Sequence, residues 1–359
     1  MNPKAQTSDV YAGMGDMRQE WFDRARFGMF VHFGLYSGAA RHEWVQNHER
    51  LTDEDYRQYF EHFDPDLFDA AALARTAKET GMGYVVLTTK HHDGFCLWDS
   101  KLTDYTSVAN TGRDLVREYV EALRAEGLKV GLYHSVIDWH HPDFTVDWNH
   151  PRRDDEGAAE LNVGRDMAAY RAYLHGQVRE LLTDYGDIDY LFFDFTYPEE
   201  KDGWAGKGPD DWDATALLAL CRELQPNMLV NDRLGIPADF VTPEQYQPTS
   251  PIVRDGVPLT WEACQTLNGS WGYHRDNTDQ KSPTMLVQML VDSVSMGGNM
   301  LLNIGPDGRG AIAPRDAQTL GEIGEWMRLH RGAVVGAGHA AFTPPREGVY
   351  TRSGNRLYL

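Results

Sequence analysis

The stretch Asp189-Tyr190-Leu191-Phe192-Phe193-Asp194-Phe195-Thr196-Tyr197-Pro198 decides how the chain is read. An apolar, strand-forming run stops at one carboxylate, and the charged segment Glu199-Glu200-Lys201-Asp202 follows. A parallel strand is near-continuously hydrophobic because helices cover both faces of its sheet. An acid at the carboxyl end of such a strand stands where α/β proteins assemble their sites. Taken alone, Asp194 could equally cap the next helix or pair with a basic neighbour.

The flanking sequence repeats the pattern. Phe27 to Gly34 reads as a strand with His32 near its end, and a loop with Arg41, His42, Glu43 and Trp44 follows. Asp69 to Thr80 has alanine-rich helical character and stops at Gly81, a glycine placed as helix ends require. Tyr84 to Thr89 is β-branched and apolar and runs into Lys90-His91-His92-Asp93. The helix expected over 114–126 closes on Gly127, and the strand 128–133 ends in His134-Ser135. Further helices are expected over 166–185, 212–224, 283–296 and 315–330, with strands at 228–230 and 300–304. Strand–helix alternation repeated this often implies a parallel sheet. An open sheet focuses its site at one switch point, whereas a barrel draws on many strand ends. Here polar groups stand at the ends of at least five strands, so the expected fold is a (β/α)8-like, TIM-type barrel, regular or distorted. Residues 1–335 form it, and 336–359 form a tail in which Gly348–Arg352 and Ser353–Leu359 make a β-hairpin. Residues 1–18 are polar and expected to be loosely ordered.

Composition narrows the function classes. The chain has 359 residues, 42% hydrophobic, with 54 acids against 34 bases and a formal net charge of −20. That balance argues against phosphate-backbone binding, which needs a basic surface. Three cysteines, Cys96, Cys221 and Cys264, are too few and too scattered for a disulfide framework or a thiolate zinc site. The first residues lack the apolar core of a signal peptide, and no run approaches the roughly 18 apolar residues of a membrane span. The expectation is a cytoplasmic protein that binds neither nucleic acid nor membrane. Ten tryptophans and 17 tyrosines suit stacking against sugar rings.

By strand end, the polar inventory is His32, Glu43-Trp44, His91-His92-Asp93, His134, Asp194 and Asn231-Asp232-Arg233, followed by Glu244 and Glu262. Histidines and acids so placed can bind a metal or hold a polyol by its hydroxyls. A metal site needs a recognisable ligand set, and the chain has no His-x-His and no His-Glu-x-x-His. Adjacent His91 and His92 would normally point to opposite sides of an extended backbone. A glycosidase needs two carboxyl groups of different character. Asp194, ending a rigid strand, is the better nucleophile, and Glu43, Glu244 and Glu262, all expected on loops, are the possible acids. The bland readings are a core role for His91 or His92, a surface role for Glu43 and core packing for Trp44, Met296, Met300 and Met327. His140 and His141 are expected in solvent-facing loops.

Several phrases occur in order: Ala25-Arg26-Phe27-Gly28-Met29-Phe30-Val31-His32-Phe33-Gly34, Glu43-Trp44, Thr89-Lys90-His91-His92-Asp93-Gly94-Phe95, Gly131-Leu132-Tyr133-His134-Ser135, Phe193-Asp194, Asn231-Asp232-Arg233 and Ser270-Trp271-Gly272-Tyr273. Together with Gly297-Gly298-Asn299 and Leu302-Asn303-Ile304-Gly305-Pro306, they resemble the α-L-fucosidases of glycoside hydrolase family 29 over residues 18–335. The resemblance implies a retaining exo-glycosidase on a distorted barrel, with no metal or cofactor. Its substrate would be a fucosylated oligosaccharide or glycoconjugate. It implies Asp194 as nucleophile and a sugar pocket of His32, Glu43, Trp44, His91, His92, His134, Arg233 and Trp271. For the acid/base it points to Glu244, with Glu262 as rival. The competing functions are a metal-dependent barrel hydrolase using His91, His92 and Asp194, and a fucose-binding relative without turnover. The chain departs from the family's usual pattern in carrying Phe195 where many relatives have glycine, and in stopping where a C-terminal β-sandwich would begin. A surface left uncovered by that sandwich leads one to expect self-association into a homo-oligomer.

Overall fold

The computed structural model describes residues 17–359, so the loose order expected of 1–18 falls almost wholly outside the described residues. In chain order the strands are β1 (Phe27–Val31), β2 (Tyr84–Lys90), β3 (Lys129–Ser135), β4 (Tyr190–Asp194), β5 (Leu229–Val230), β6 (Val253–Arg254), β7 (Val257–Pro258), β8 (Glu262–Thr266), β9 (Asn299–Ile304), β10 (Gly338–His339), β11 (Thr351–Ser353) and β12 (Arg356–Tyr358). Seven of them form one parallel sheet in the order β5-β4-β3-β2-β1-β9-β8.

The two edges of that sheet are joined by an irregular segment around Phe240–Gln245. Parallel bridges link Asn231 with Phe240, Val241 with Trp261, and Glu244 with Cys264. Val241 N donates to Thr260 O at 3.0 Å, Glu262 N to Val241 O at 3.0 Å, Cys264 N to Pro243 O at 3.0 Å and Gln245 N to Cys264 O at 3.0 Å. The missing rung is the one residue 243 would donate. Proline has no N–H to give, so this eighth strand closes the barrel without a continuous ladder. No helix follows β5, and a short hairpin of β6 and β7 stands where the next helix would be. The barrel is therefore distorted along this arc.

Side-chain alternation divides the barrel into two compartments. Phe30, Tyr84, Val86, Tyr133, Tyr190, Phe192, Leu229, Phe240, Cys264 and Leu301 pack inside, and their neighbours along each strand pack outward against the helices. The helix Met17–Ala25 plugs the amino-terminal end: Phe22 is fully buried and its ring lies 5.5 Å from Tyr84 and 5.1 Å from Phe240. The expected helices form at Ala70–Glu79, Leu115–Glu126, Met167–Thr183, Ala214–Leu224, Pro283–Ser295 and Pro314–His330. Asp69 and Asp114 cap two of them by accepting from Ala72 N and Arg117 N, a contribution of about 1 kcal/mol each. Short helices at Leu35–Ala39, Val45–His48 and Asp53–Glu61 were not expected and fold the first long loop over the barrel mouth. At the tail, β11 and β12 make the expected hairpin, and β10 adds a third antiparallel strand. His339 Nδ1 lies 2.8 Å from Ser295 O, tying that small sheet to a barrel helix.

Candidate active site

The carboxyl ends of the strands converge on a small cavity of about 60 Å³. Eight of the residues singled out in the sequence line it: His32, Trp44, His91, His92, Asp194, Arg233, Glu244 and Trp271. Asp194 shares the inward parity of Tyr190 and Phe192, so the alternation of β4 aims its carboxylate into the barrel. Its Oδ1 lies 3.0 Å from Arg233 Nη1, and its Oδ2 accepts from Tyr133 at 2.9 Å. The other guanidinium nitrogen, Nη2, lies 2.7 Å from Glu244 Oε2. One arginine thus holds both carboxylates. Burial raises the Asp194 carboxyl above its ordinary range while Arg233 pulls it back.

His91 and His92 both face the cavity, with ring centroids 3.9 Å apart. Opposite orientations had been expected. The strand ends at Lys90 after a register shift between Thr88 and Lys90, so the rule of alternation no longer applies to the pair. Trp44 sets its ring edgewise on His92 at 4.9 Å, and Trp271 lies 5.2 Å from His32. Burial lowers His32 to about 3 and holds His91 and His92 well below the usual imidazole range. All three are neutral at pH 7, and a neutral imidazole both donates and accepts.

Three residues from the sequence reading lie elsewhere. His134 is on the outward face of β3, fully buried, with its ring 5.8 Å from that of Trp98, and does not reach the cavity. Its neighbour Tyr133 lines the cavity instead, as the parity of Leu132 and Tyr133 along β3 foretells. Glu43 is buried behind the wall rather than on the surface: Oε2 accepts Trp271 N–H at 3.2 Å and Gly272 N–H at 2.8 Å. Burial lifts its carboxyl to about 7. Glu262 is no loop residue but the first of β8, fully buried at the opposite end of the barrel. It accepts from Tyr190 at 2.6 Å and also from Tyr84. Tyr190 precedes Asp194 by four residues, about 13 Å of strand, which puts Glu262 far from the Asp194 carboxylate. Phe30, Tyr133, Phe192, Phe195 and Cys264 complete the lining, and the sequence reading had assigned none of them a site role, though it noted Phe195 as a departure from the family's pattern.

Phe195 has φ 84°, a left-handed conformation that a bulky residue rarely adopts. Its ring packs 4.9 Å from both Trp44 and His92. On its far side opens a groove of about 400 Å³ lined by Trp148, Tyr197, Asp232 and Thr242 together with Asp194 and Arg233. Another cavity, of about 330 Å³, holds a single carboxylate, Asp316, among its lining.

A small pocket with one pair of carboxylates, neutral histidines and aromatic walls, at the carboxyl end of a β/α barrel, has the groups that glycoside hydrolase chemistry requires. The chain belongs to the alpha-L-fucosidase family, whose model matches residues 5–331. It is 30% identical over 340 residues to the tissue alpha-L-fucosidase of Mus musculus, covering 88% of this chain and 70% of that protein. Alpha-L-fucosidase isoenzyme 1 from Paenibacillus thiaminolyticus superimposes with a TM-score of 0.90 at 50% identity, covering 95% of this chain and 82% of that one. A GH29 alpha-L-fucosidase from Bacteroides thetaiotaomicron superimposes with a TM-score of 0.81 at 31% identity, over 95% and 81% of the two chains. That structure is a trapped covalent intermediate with 2-fluoro-fucosyl fluoride in a Glu-to-Gln variant. The metal-dependent alternative is not favoured, and among the described residues no group of three or more His, Cys, Asp or Glu could hold a metal ion. No helix among the described residues is long and apolar enough to cross a membrane.

Proposed function

We propose that the protein removes terminal α-L-fucosyl residues from fucosylated oligosaccharides or glycoconjugates with retention of configuration, using Asp194 as nucleophile and Glu244 as acid/base. The observation that carries this reading is the bridge of Arg233 to both carboxylates inside one small pocket. Paired carboxyl groups held this close suit direct attack on the sugar. The pocket is small and walled by the rings of Trp44, Phe195 and Trp271, which suits one terminal sugar unit. The leaving group then lies outside, as exo action requires.

Asp194 is the more rigid of the pair, ending a core strand with its carboxylate fixed by Tyr133 and Arg233. Glu244 sits on the irregular closing segment, with 40% of its side chain exposed against 15% for Asp194. It can therefore meet a leaving group and, later, water. In the first step an Asp194 oxygen bonds the anomeric carbon as the bond to the leaving oxygen breaks, and the Glu244 carboxyl gives that oxygen its proton. In the second, Glu244 takes a proton from water, whose oxygen attacks the same carbon and breaks the ester to Asp194. Two inversions give net retention. The covalent intermediate trapped in the Bacteroides relative supports the two-step course.

The test is hydrolysis of p-nitrophenyl α-L-fucoside followed by proton NMR, in which α-L-fucose must appear before the β anomer. Asp194→Gly should abolish turnover, and added azide should restore it with β-fucosyl azide as product. An initial β-fucose product, or near-normal activity in Asp194→Gly, sinks the assignment.

A further inference from the structure

Asn303 belongs to the late Leu302-Asn303-Ile304-Gly305-Pro306 phrase, and the mechanism above makes no use of it. It lies on the inward face of β9, only 1% exposed, beside His32, the residue that follows the neighbouring strand β1. Asn303 Nδ2 donates to the backbone oxygen of Trp271 at 2.7 Å, and Asn303 Oδ1 lies 2.6 Å from His32 Nδ1.

These contacts admit one arrangement of protons. A backbone carbonyl can only accept, so the amide nitrogen of Asn303 must face Trp271 and its oxygen must face His32. An amide oxygen also only accepts, so the proton of the neutral imidazole is on Nδ1. Nε2 then carries a lone pair. Among the described residues no hydrogen-bond partner meets that nitrogen, and His32 lines the sugar pocket. Burial keeps the ring neutral far below pH 7, so the lone pair persists.

His92 follows the same logic. The Ser135 hydroxyl donates to Ile137 O at 2.8 Å and accepts Ile137 N–H at 3.1 Å, leaving a lone pair for His92 Nδ1–H at 2.7 Å.

We propose that Asn303 is a positioning residue that fixes His32 in the tautomer with an accepting Nε2, so that the pocket demands a hydroxyl donor from the sugar at that point. The same amide clamps the Trp271 carbonyl while Glu43 takes the Trp271 N–H, so one side chain orients two walls of the pocket. The inference rests on the fucosidase reading and adds a selection rule to it. A sugar in which fluorine replaces the hydroxyl facing His32 keeps the shape but has no proton to donate, and it is rejected.

Two measurements test this. In the unaltered protein labelled with ¹⁵N-histidine, with the His32 signals assigned by their loss in His32→Gln, Nδ1 should be protonated and Nε2 bare between about pH 5 and 8. The opposite tautomer overturns the proposal whatever the variants do. Calorimetry with L-fucose and its 3- and 4-deoxyfluoro congeners should then show one congener binding about tenfold more weakly than the parent. In Asn303→Asp the new carboxylate favours the doubly protonated ring, Nε2 becomes a donor, and that penalty should shrink several-fold while the other congener is unaffected. Equal weakening of all three ligands would mark Asn303 as merely structural and overturn the proposal. If the unaltered protein binds no L-fucose, the functional reading falls with it, and the tautomer recorded without ligand tells the two failures apart.

Discussion

The phenol of Tyr133 donates to Oδ2 of Asp194 at 2.9 Å, from a ring that is 1% exposed and stacked on Phe192. With Arg233 on Oδ1, both oxygens of the carboxylate are committed before substrate arrives. A carboxylate so held, in the proposed role of nucleophile, would lose little conformational freedom on reaching the anomeric carbon.

Tyr133→Phe should therefore lower kcat by about tenfold with little change in KM, because it removes one charge-assisted hydrogen bond and keeps the ring. Steady-state kinetics on p-nitrophenyl α-L-fucoside provide the check. An unchanged kcat would show that Arg233 alone orients Asp194.

Glu244 and Glu262 separate by leaving-group dependence. Glu244→Ala should slow natural sugar leaving groups by about a hundredfold or more, yet leave the first step on a p-nitrophenyl fucoside nearly intact. The second step still needs a base, so a burst followed by slow turnover is expected, and azide should give α-fucosyl azide. Glu262→Gln, at the far end of the barrel, should show neither sign. An α-azide product from a Glu262→Ala enzyme would reverse the roles.

Glu262 instead governs a pH dependence of stability. Burial raises its carboxyl from 4.5 to about 7, with the two tyrosine hydrogen bonds opposing the shift. The folded state then binds the proton more tightly than the unfolded one. Its contribution is greatest below the unfolded value of 4.5 and is lost as pH rises toward 7, a change of up to about 3 kcal/mol. Other groups, the buried histidines among them, titrate in overlapping ranges, so the variant difference is the clean measurement. Glutamine mimics the protonated acid, so the Tm of Glu262→Gln relative to the parent should rise from about pH 4.5 to about pH 7, the two limits, and level off above. A flat difference would mean that Glu262 is ionised throughout.

Phe195 holds a strained backbone at φ 84° while its ring stands between the small cavity and the outer groove, lining both. Phe195→Gly should relieve about 1 kcal/mol of strain and forfeit the packing on Trp44 and His92, leaving Tm within a few degrees of the parent. KM for fucosides should rise by about tenfold as the wall opens. A fall in KM would show that the ring crowds the pocket instead of shaping it.

Much of this protein is legible in one dimension. Apolar runs that end in a histidine or a carboxylate, separated by capped helices, specify a parallel barrel because each feature is local. Asp69, Asp114 and Gly127 act on the residues next to them in the chain. The ordered phrases from His32 to Trp271 likewise carry the family and the floor of the pocket.

What required the tertiary structure was decided by parity, height and closure. His134 and Tyr133 are adjacent in sequence, and the direction of β3 alone sends the first outward and the second to Asp194. Glu262 and Glu244 look alike as acids after β5, but one begins a strand and the other ends one, so they stand at opposite ends of the barrel. Pro243 deletes a single rung from the closing strand, which is why that arc reads as loop and its Glu244 gives no strand signal. The Arg233 bridge is likewise invisible along the chain, since its partners lie 39 residues before it and 11 after. Charges so separated act on each other only when the fold has already brought the strand ends to one mouth.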